Sequence, residues 1–398
     1  MARKRGNGEG SIYKDGAVWR GQVSIGRDIT TGKLRRMSFS GKTRRDVQEK
    51  IAQALSEIST GTFVEPTSQS VREWDKTWLK DYKRGSIRPK TYESYMYIID
   101  SYVNPVIGDT PLKDLRTDHI QKLLNNMASK GLSSRTIRYA ATIIHSFLAQ
   151  AVKNGIIARN VSDAITLPKG SKKQMRVLSG DEQKRLIEVC RNDRLGAAFI
   201  LSLAAGLRRS ECLAIRWKDI NLDENYIQIV QSLVRIKNYE GDKKKSELVF
   251  QQPKTASSIR TIPIPPSVKA ELENHKARQD GEKAKAEGAY CDIDLVFCTE
   301  LGKPIEPRNF ERKFKQLLEK ANIPTINLHG LRHSFATRLL EENEHPKIVQ
   351  EMLGHKSIQI TLDTYSHVSK ELKRNAADKL DKYFSDKNAN SNGSESNE

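Results

Sequence analysis

Two stretches without hydrophobic periodicity, Gly61-Thr-Phe-Val-Glu-Pro66-Thr-Ser-Gln-Ser and Pro168-Lys-Gly-Ser-Lys-Lys-Gln, cut this chain into three segments whose apolar spacing differs. A strand buries every second side chain and a helix follows a 3.6-residue period, so segments of different period cannot share one layer. Boundaries are expected near residues 65 and 170. The 398 residues are enough for about two to four domains of ~100–200 residues each.

The first segment reads as strands. Ser11 to Lys14 and Val18 to Ile25 flank the turn signal Asp15-Gly16, and Leu34 to Phe39 follows Thr31-Gly32. A helix then opens at Thr43, with Asp46 at capping distance and Val47, Ile51, Ala54, Leu55 and Ile58 on one face. Gly41-Lys42-Thr43 is like the end of a P-loop, but Arg36 stands where that loop needs its first glycine, so nucleotide binding is unsupported. Between Val71 and Leu167 four helical stripes succeed one another. They are Val71, Trp74, Trp78, Tyr82; Tyr92, Tyr95, Ile99, Tyr102; Ile120, Leu123, Leu124, Met127, ended by Gly131; and Ile137, Ala141, Ile144, Leu148, Ala151, ended by Gly155. Core packing accounts for their aromatic rings.

The third segment opens at Ser179 and Glu182, which have capping-box spacing. It alternates helices with a strand cluster at Tyr226 to Val230, Leu248 to Gln251 and Arg260 to Pro265. An amphipathic helix (Leu372, Ala376, Leu380, Tyr383) follows, and from about Asp386 an Asn/Ser/Glu tail is expected to be disordered. The fold class is therefore multidomain and mainly α with small β-sheets (α+β). Its expected parts are 1–64, a three-stranded sheet plus helix with its linker; 65–169, a four-helix domain; 170–368, a mixed, mainly helical domain; and 369–398.

Charge narrows the partner. Lys and Arg number 68 against 49 acids, a formal +19, and residues 1–50 hold 13 basic against five acidic side chains. Residues 67–169 hold 16 against nine. A solvated basic face would explain either excess, but two basic domains in series resemble a clamp on a phosphate backbone. The apolar run Leu195 to Leu207 is interrupted by Ser202 and followed by arginines, which makes it a core helix rather than a membrane span. Met-Ala-Arg-Lys-Arg leads into no apolar segment, so an intracellular, cytoplasmic protein is expected. Cys190, Cys212, Cys291 and Cys298 lack C-x-x-C spacing and read as buried thiols, not as a zinc knuckle or a disulfide framework. No G-x-S-x-G nucleophile elbow is present.

Four patches of the last segment share one chemistry, the stabilisation of a phosphate under attack by a side-chain oxygen: Gly206-Leu-Arg208-Arg-Ser-Glu211, Pro253-Lys254-Thr255, His329-Gly-Leu-Arg332-His333, and Gly354-His355 ahead of Thr364-Tyr365-Ser-His367. His329 and Arg332, three apart on a helix, project from one face, and a guanidinium presents two parallel donors to phosphate oxygens. Arg208 can supply a second fork. Arg209, Arg216 and Arg338 read as solvated charges, and His145 and His345 as structural. His329 and His333 have metal-ligand spacing, but Gly330 sits where a zinc protease carries its glutamate. Tyr365 is either a half-exposed packing residue or, with cationic neighbours lowering a phenol pKa of ~10, a nucleophile.

In order and spacing, G-L-R-x-S-E, H-x-L-R-H and L-G-H…D-T-Y-S-H-V resemble the tyrosine recombinases of the phage-integrase family over residues 176–368. The resemblance implies a site-specific DNA integrase in which Tyr365 attacks the scissile phosphate, forms a 3′-phosphotyrosyl link and expels a 5′-hydroxyl, with no metal, ATP or other cofactor. It implies phosphate contacts from Arg208 and Arg332, acid/base work for His329, a hydrogen bond from His355, and Lys254 as acid for the leaving oxygen. Lys243, Lys244 and Lys245 are rivals for that last role. Glu211 would orient Arg208 or a neighbouring histidine. By the same resemblance residues 71–167 form a core-binding domain and residues 1–60 an arm-type DNA-binding domain, in a protein that forms a tetramer on DNA; the terminal helix docks either on its own domain or, head to tail, on a neighbouring protomer. An excisionase and a host DNA-bending protein are further partners it leaves open. A type IB topoisomerase and a DNA-binding regulator with a dead site are the competing readings. The basic N-terminal module argues against the first, and the complete set of six side chains against the second.

Overall fold

The structure is a computed structural model that describes residues 10–27, 31–60, 68–170, 175–238, 245–252 and 259–364, together with 374, 377–378, 380 and 383–384. It divides into two compact units, 1–172 and 173–398, taken separately below.

In the first unit, β1 (Ser11–Asp15), β2 (Val18–Arg27) and β3 (Leu34–Gly41) form an antiparallel sheet in sequence order. Asp15 pairs with Val18, so the hairpin loop is Gly16-Ala17, one residue beyond the turn signal, and Gly16 takes φ 59°. α1 (Arg44–Ser59) starts with a complete Thr43–Asp46 capping box. Its Val47 and Ile51 close over Val23 of the sheet, and a Cβ on Gly21 would lie 2.5 Å from Ile51 Cδ1, so helix and sheet touch through that glycine.

A separate apolar cluster is built by α2 (Val71–Thr77), α3 (Pro89–Ile98), α4 (Asn104–Ile107), α5 (Thr117–Ser129) and α6 (Ser134–Lys153). The stripes fall inward as expected for α5 and α6, which stop before Gly131 and Gly155, both at positive φ. Trp74 donates its indole N–H to Phe147 O at 2.8 Å, and Trp78 stacks on Tyr95 at 5.8 Å. The tyrosines of the second stripe are only half-buried and Tyr82 is exposed, because a phenol packs its ring while keeping its hydroxyl in water.

Asp75 is 1% exposed within this cluster. Burial raises its carboxyl to about 7, against the opposing hydrogen bond from Asn104. The folded state thus keeps a proton that the unfolded chain loses above pH ~4, so this group costs stability as pH rises toward 7. Asp75→Asn, neutral at every pH, is expected to stabilise the protein by roughly 1–4 kcal/mol near pH 8 and by much less near pH 5. Denaturant melts at the two pH values check this, and an equal gain at both would contradict it.

In the second unit, α7 (Gly180–Arg191) opens on the expected Ser179–Glu182 capping box. α8 (Gly196–Ala205) is buried on nearly every side, as its apolar run requires, and α9 (Arg209–Cys212) follows at once. β4 (Ile220–Asn221), β5 (Tyr226–Ile229), β6 (Ser232–Asn238), β7 (Lys245–Gln251) and β8 (Arg260–Pro263) come next. The strand cluster read from sequence splits in two: β4-β5-β8 form one antiparallel sheet, whereas Leu248 to Gln251 belongs to β7 and pairs with β6 in a separate ribbon. Ile227 faces Ile262 across the sheet and both are fully buried, while the ribbon buries Leu233. That choice of partners rests on tertiary burial, which strand propensity does not encode.

α10 (Pro266–Ala286) has no sequence forecast, since its buried positions turn polar at His275 and Gln279 and break the apolar period. α11 (Pro307–Lys320), α12 (Leu328–Glu341), α13 (Pro346–Leu353) and α14 (Ile358–Thr364) complete the unit. Cys190, Cys212 and Cys298 are buried and Cys291 is partly so. His345 caps α13, its ring accepting from Lys347 N at 3.2 Å, and His145 bonds Ser162, so both are structural as expected. Arg216 departs from its reading as a solvated charge, because it is bidentate on the buried Asp219 at 2.8 and 3.1 Å. No described helix is long and apolar enough to cross a membrane.

Candidate active site

The site is built at the C-terminal end of α13. A helix leaves its last carbonyls without intrahelical partners and carries partial negative charge there. Three guanidinium groups take up three successive oxygens at this end. Arg260 Nε donates to Met352 O at 2.7 Å, Arg332 Nη2 to Leu353 O at 2.5 Å and Arg208 Nη2 to Gly354 O at 3.4 Å. Their mutual repulsion is offset by that helix end and by Glu211.

Each arginine is delivered by a different element. Arg208 caps α9 just after α8, where Gly206 reverses the chain at φ 59°. A Cβ at Gly206 would meet Phe335 Cδ1 at 2.5 Å and Leu353 Cδ2 at 2.9 Å, so this corner takes no side chain. Arg332 comes from α12, is 1% exposed, and also donates through Nη1 to Gly206 O at 2.8 Å. It thereby ties the ends of α8 and α13 together. Arg260 opens β8, with its side chain 6% exposed.

Glu211 joins two of them. Its Oε1 accepts from Arg208 Nη1 at 2.6 Å and from Arg260 Nη1 at 3.2 Å; its Oε2 accepts from Arg208 N and Arg260 Nη2, both at 2.9 Å. Burial would raise this carboxyl, but the hydrogen bond and charge of Arg260, with the charge of Arg208, hold it at about 2. It is ionised at any working pH.

His329 stands at the surface in the first turn of α12, edge-to-face with His333 at 4.7 Å between ring centroids. His355, just past α13, pairs its Nδ1 with Thr361 Oγ1 of α14 at 2.9 Å. Desolvation first, then the charges of Arg332 and Arg208, pushes His329 down and His355 down to about 4. His333 is likewise about 4, through burial and then its neighbours His329 and Arg332. In the protein without DNA these imidazoles are neutral at pH 7, rather than titrating near neutrality as their residue type suggests, because the rings are partly desolvated and stand beside groups that already charge the site.

Arg208, Glu211, Arg332 and His355 thus meet at one corner, with His329 close enough in charge to feel both arginines. Lys254, Tyr365 and His367 lie outside the described residues, as do the rivals Lys243 and Lys244; α14 ends at Thr364, immediately before the tyrosine. Sequence reasoning missed Arg260. The available signal was an arginine opening a strand whose inward positions are Ile262 and Ile264. Arg209, ion-paired with Glu311, and Arg338, paired with Glu341, are peripheral. No cluster of three or more metal-ligating side chains occurs among the described residues.

Two family patterns match the chain: the phage integrase family over residues 176–371, and the phage integrase N-terminal SAM-like domain over residues 70–128. A tyrosine recombinase XerC-like protein of Caldanaerobacter subterraneus is 33% identical over 378 residues, covering 92% of this chain and 96% of that one. The chain belongs to the tyrosine recombinases of the phage integrase family. The ICEBs1 integrase of Bacillus subtilis is 26% identical over 90% of this chain and 95% of its own length. In fold, this recombinase is similar to the Tn1549 transposon integrase in complex with transposon right end DNA (TM-score 0.65, 22% identity, 78% of this chain and 99% of that one). It is also similar to a lambda integrase dimer bound to a core site (TM-score 0.55, 20% identity, 91% and 96%). This recombinase is a site-specific integrase that cleaves and rejoins DNA strands.

Proposed function

We propose that Arg208, Lys254, His329, Arg332, His355 and Tyr365 form one centre. Tyr365 Oη attacks the scissile phosphorus, the phenolic proton passes to neutral His329, the bond from phosphorus to the 5′-oxygen breaks, and Lys254 protonates that leaving oxygen. Arg208 and Arg332 take the non-bridging oxygens, and charge that grows there in the transition state is stabilised more than in the ground state. His355 adds a hydrogen bond. The observation that carries this reading is the triple-arginine corner, which puts both motif arginines on adjacent carbonyls at the end of α13. An arriving phosphate opposes the downward shift of the histidines, so DNA binding itself would make His329 a better proton acceptor.

Because the guanidinium groups supply the charge that metal ions supply in many nucleases, cleavage of a nicked suicide substrate should proceed within about twofold of the untreated rate in excess EDTA and without nucleotide. Loss on chelation, restored by magnesium or zinc, would refute the metal-free scheme.

Residues 1–64 are assigned to arm-type DNA, 65–169 to the core site, 170–368 to catalysis and 369–398 to association between protomers of a tetramer on cytoplasmic, nucleoid DNA. Supporting the last of these, Leu380, Tyr383 and Phe384 are exposed in the single chain, and a cavity of about 290 Å³ lined by Ile187, Leu203, Val268, Phe335 and Leu339 is open in the second unit. Leu372 and Ala376, the other members of that helical stripe, lie outside the described residues. Removal of residues 1–64 should spare core-site cleavage and abolish binding to a separate arm-type duplex. Gel shifts with the two duplexes measure this, and lost core cleavage in a folded truncation would place the segment in the core clamp. Truncation after Val368 should leave half-site binding intact and weaken assembly on full sites; unaltered assembly would remove the role of the tail.

A further inference from the structure

Glu211 poses a problem for the chemistry assigned to Arg208. An ionised buried carboxylate three residues away is an ideal bidentate partner for a guanidinium, and a fully chelated Arg208 would have little left to offer a phosphate. Yet the side chain of Arg208 meets Glu211 through Nη1, at 2.6 Å, while its Nη2 reaches toward Gly354 O. What occupies the remaining face of the carboxylate is Arg260, forked onto both oxygens at 2.9 and 3.2 Å and fixed through Nε to Met352 O. Its backbone is held as well, since Arg260 pairs with Ile229, which is 2% exposed.

We propose that Arg260 is a positioning residue that saturates Glu211, so that the guanidinium of Arg208 meets that carboxylate through Nη1 alone and keeps remaining N–H groups for the scissile phosphate. The inference rests on the reading of Arg208 as a phosphate-binding residue. The same contact has a second consequence. Arg260 follows Lys254 by six residues in sequence and opens β8, so the start of that strand is tethered to the corner that presents the arginines. Lysine at 260 keeps the charge but is a point donor that cannot reproduce the fork on Glu211 together with the bond to Met352.

The test is single-turnover cleavage of a nicked suicide substrate at saturating DNA by full-length Arg260→Gln and Arg260→Lys, each also combined with Glu211→Gln. Misplacing a catalytic group by about an ångström can cost on the order of 100-fold, so each Arg260 single variant should cleave about 30–100-fold more slowly, with DNA affinity within about threefold of wild type. The deciding result is rescue: with Glu211 neutralised there is nothing to sequester Arg208, so each double variant should cleave at least about fivefold faster than its Arg260 single variant. A merely structural Arg260 gives the opposite order, each double being slower than its single, and that order overturns the proposal. Wild-type rates for both Arg260 variants also overturn it. If Arg260→Gln fails to fold, as a melt would show, Arg260→Lys and its double variant decide. Arg208→Lys in the same assay separates the two readings: a wild-type rate there defeats the role of Arg208 itself, whereas a dead Arg208→Lys beside unaffected Arg260 variants defeats the inference about Arg260 alone.

Discussion

Tyr365→Phe should eliminate the covalent protein–DNA adduct, lowering its formation on a nicked suicide substrate by at least ~10³-fold, while half-site affinity stays within about twofold. The substitution removes one oxygen and keeps the ring, so the loss is chemical. Adduct formation is read on a denaturing gel, with peptide mapping of the wild-type linkage. An adduct mapped to another residue, such as Tyr383, would remove Tyr365 from the mechanism and leave the arginine corner without its nucleophile.

Arg332→Lys is expected to damage both rate and fold, for separable reasons. Arg332 spans Gly206 O and Leu353 O at 2.8 and 2.5 Å from a 1% exposed position, which preorganises its plane toward the site. A lysine ammonium cannot reach two carbonyls on different elements and still present a planar pair of donors to phosphate. By the ~10²–10³-fold cost of removing one oxyanion donor, cleavage should fall by about that factor. The carbonyl left unpaired in the interior should cost a further ~1–3 kcal/mol of stability. Single-turnover kinetics and denaturant melts measure the two effects independently. A destabilised variant with wild-type cleavage would make Arg332 a strut between α8 and α13 and no part of phosphate binding.

Much of this protein is legible in its sequence. The capping boxes at Thr43 and Ser179, the helix ends at Gly131 and Gly155, the strands of the first sheet and the burial of α8 depend on contacts within a few residues, and local spacing reports such contacts faithfully. The family motifs likewise singled out Arg208, Glu211, Arg332 and His355, which the fold brings to one corner, because their residue types and order are themselves the signal. What tertiary structure decided was every relationship between elements far apart in the chain. Whether β7 pairs with β8 or with β6 depended on which isoleucines could be buried together, and the polar inner face of α10 had meaning only beside the residues it packs on. Arg260 is the sharpest case. Alone in sequence it is one cation among 68 basic residues. Only folding brings it onto a carboxylate 49 residues away and a carbonyl 92 residues away, and so makes a strand-opening arginine part of the site. The neutral state of His329 and His355 has the same origin, since a pKa reports the burial of a group and the charges around it in space, and the fold both desolvates these rings and sets them beside Arg332 of α12 and Arg208 at the start of α9.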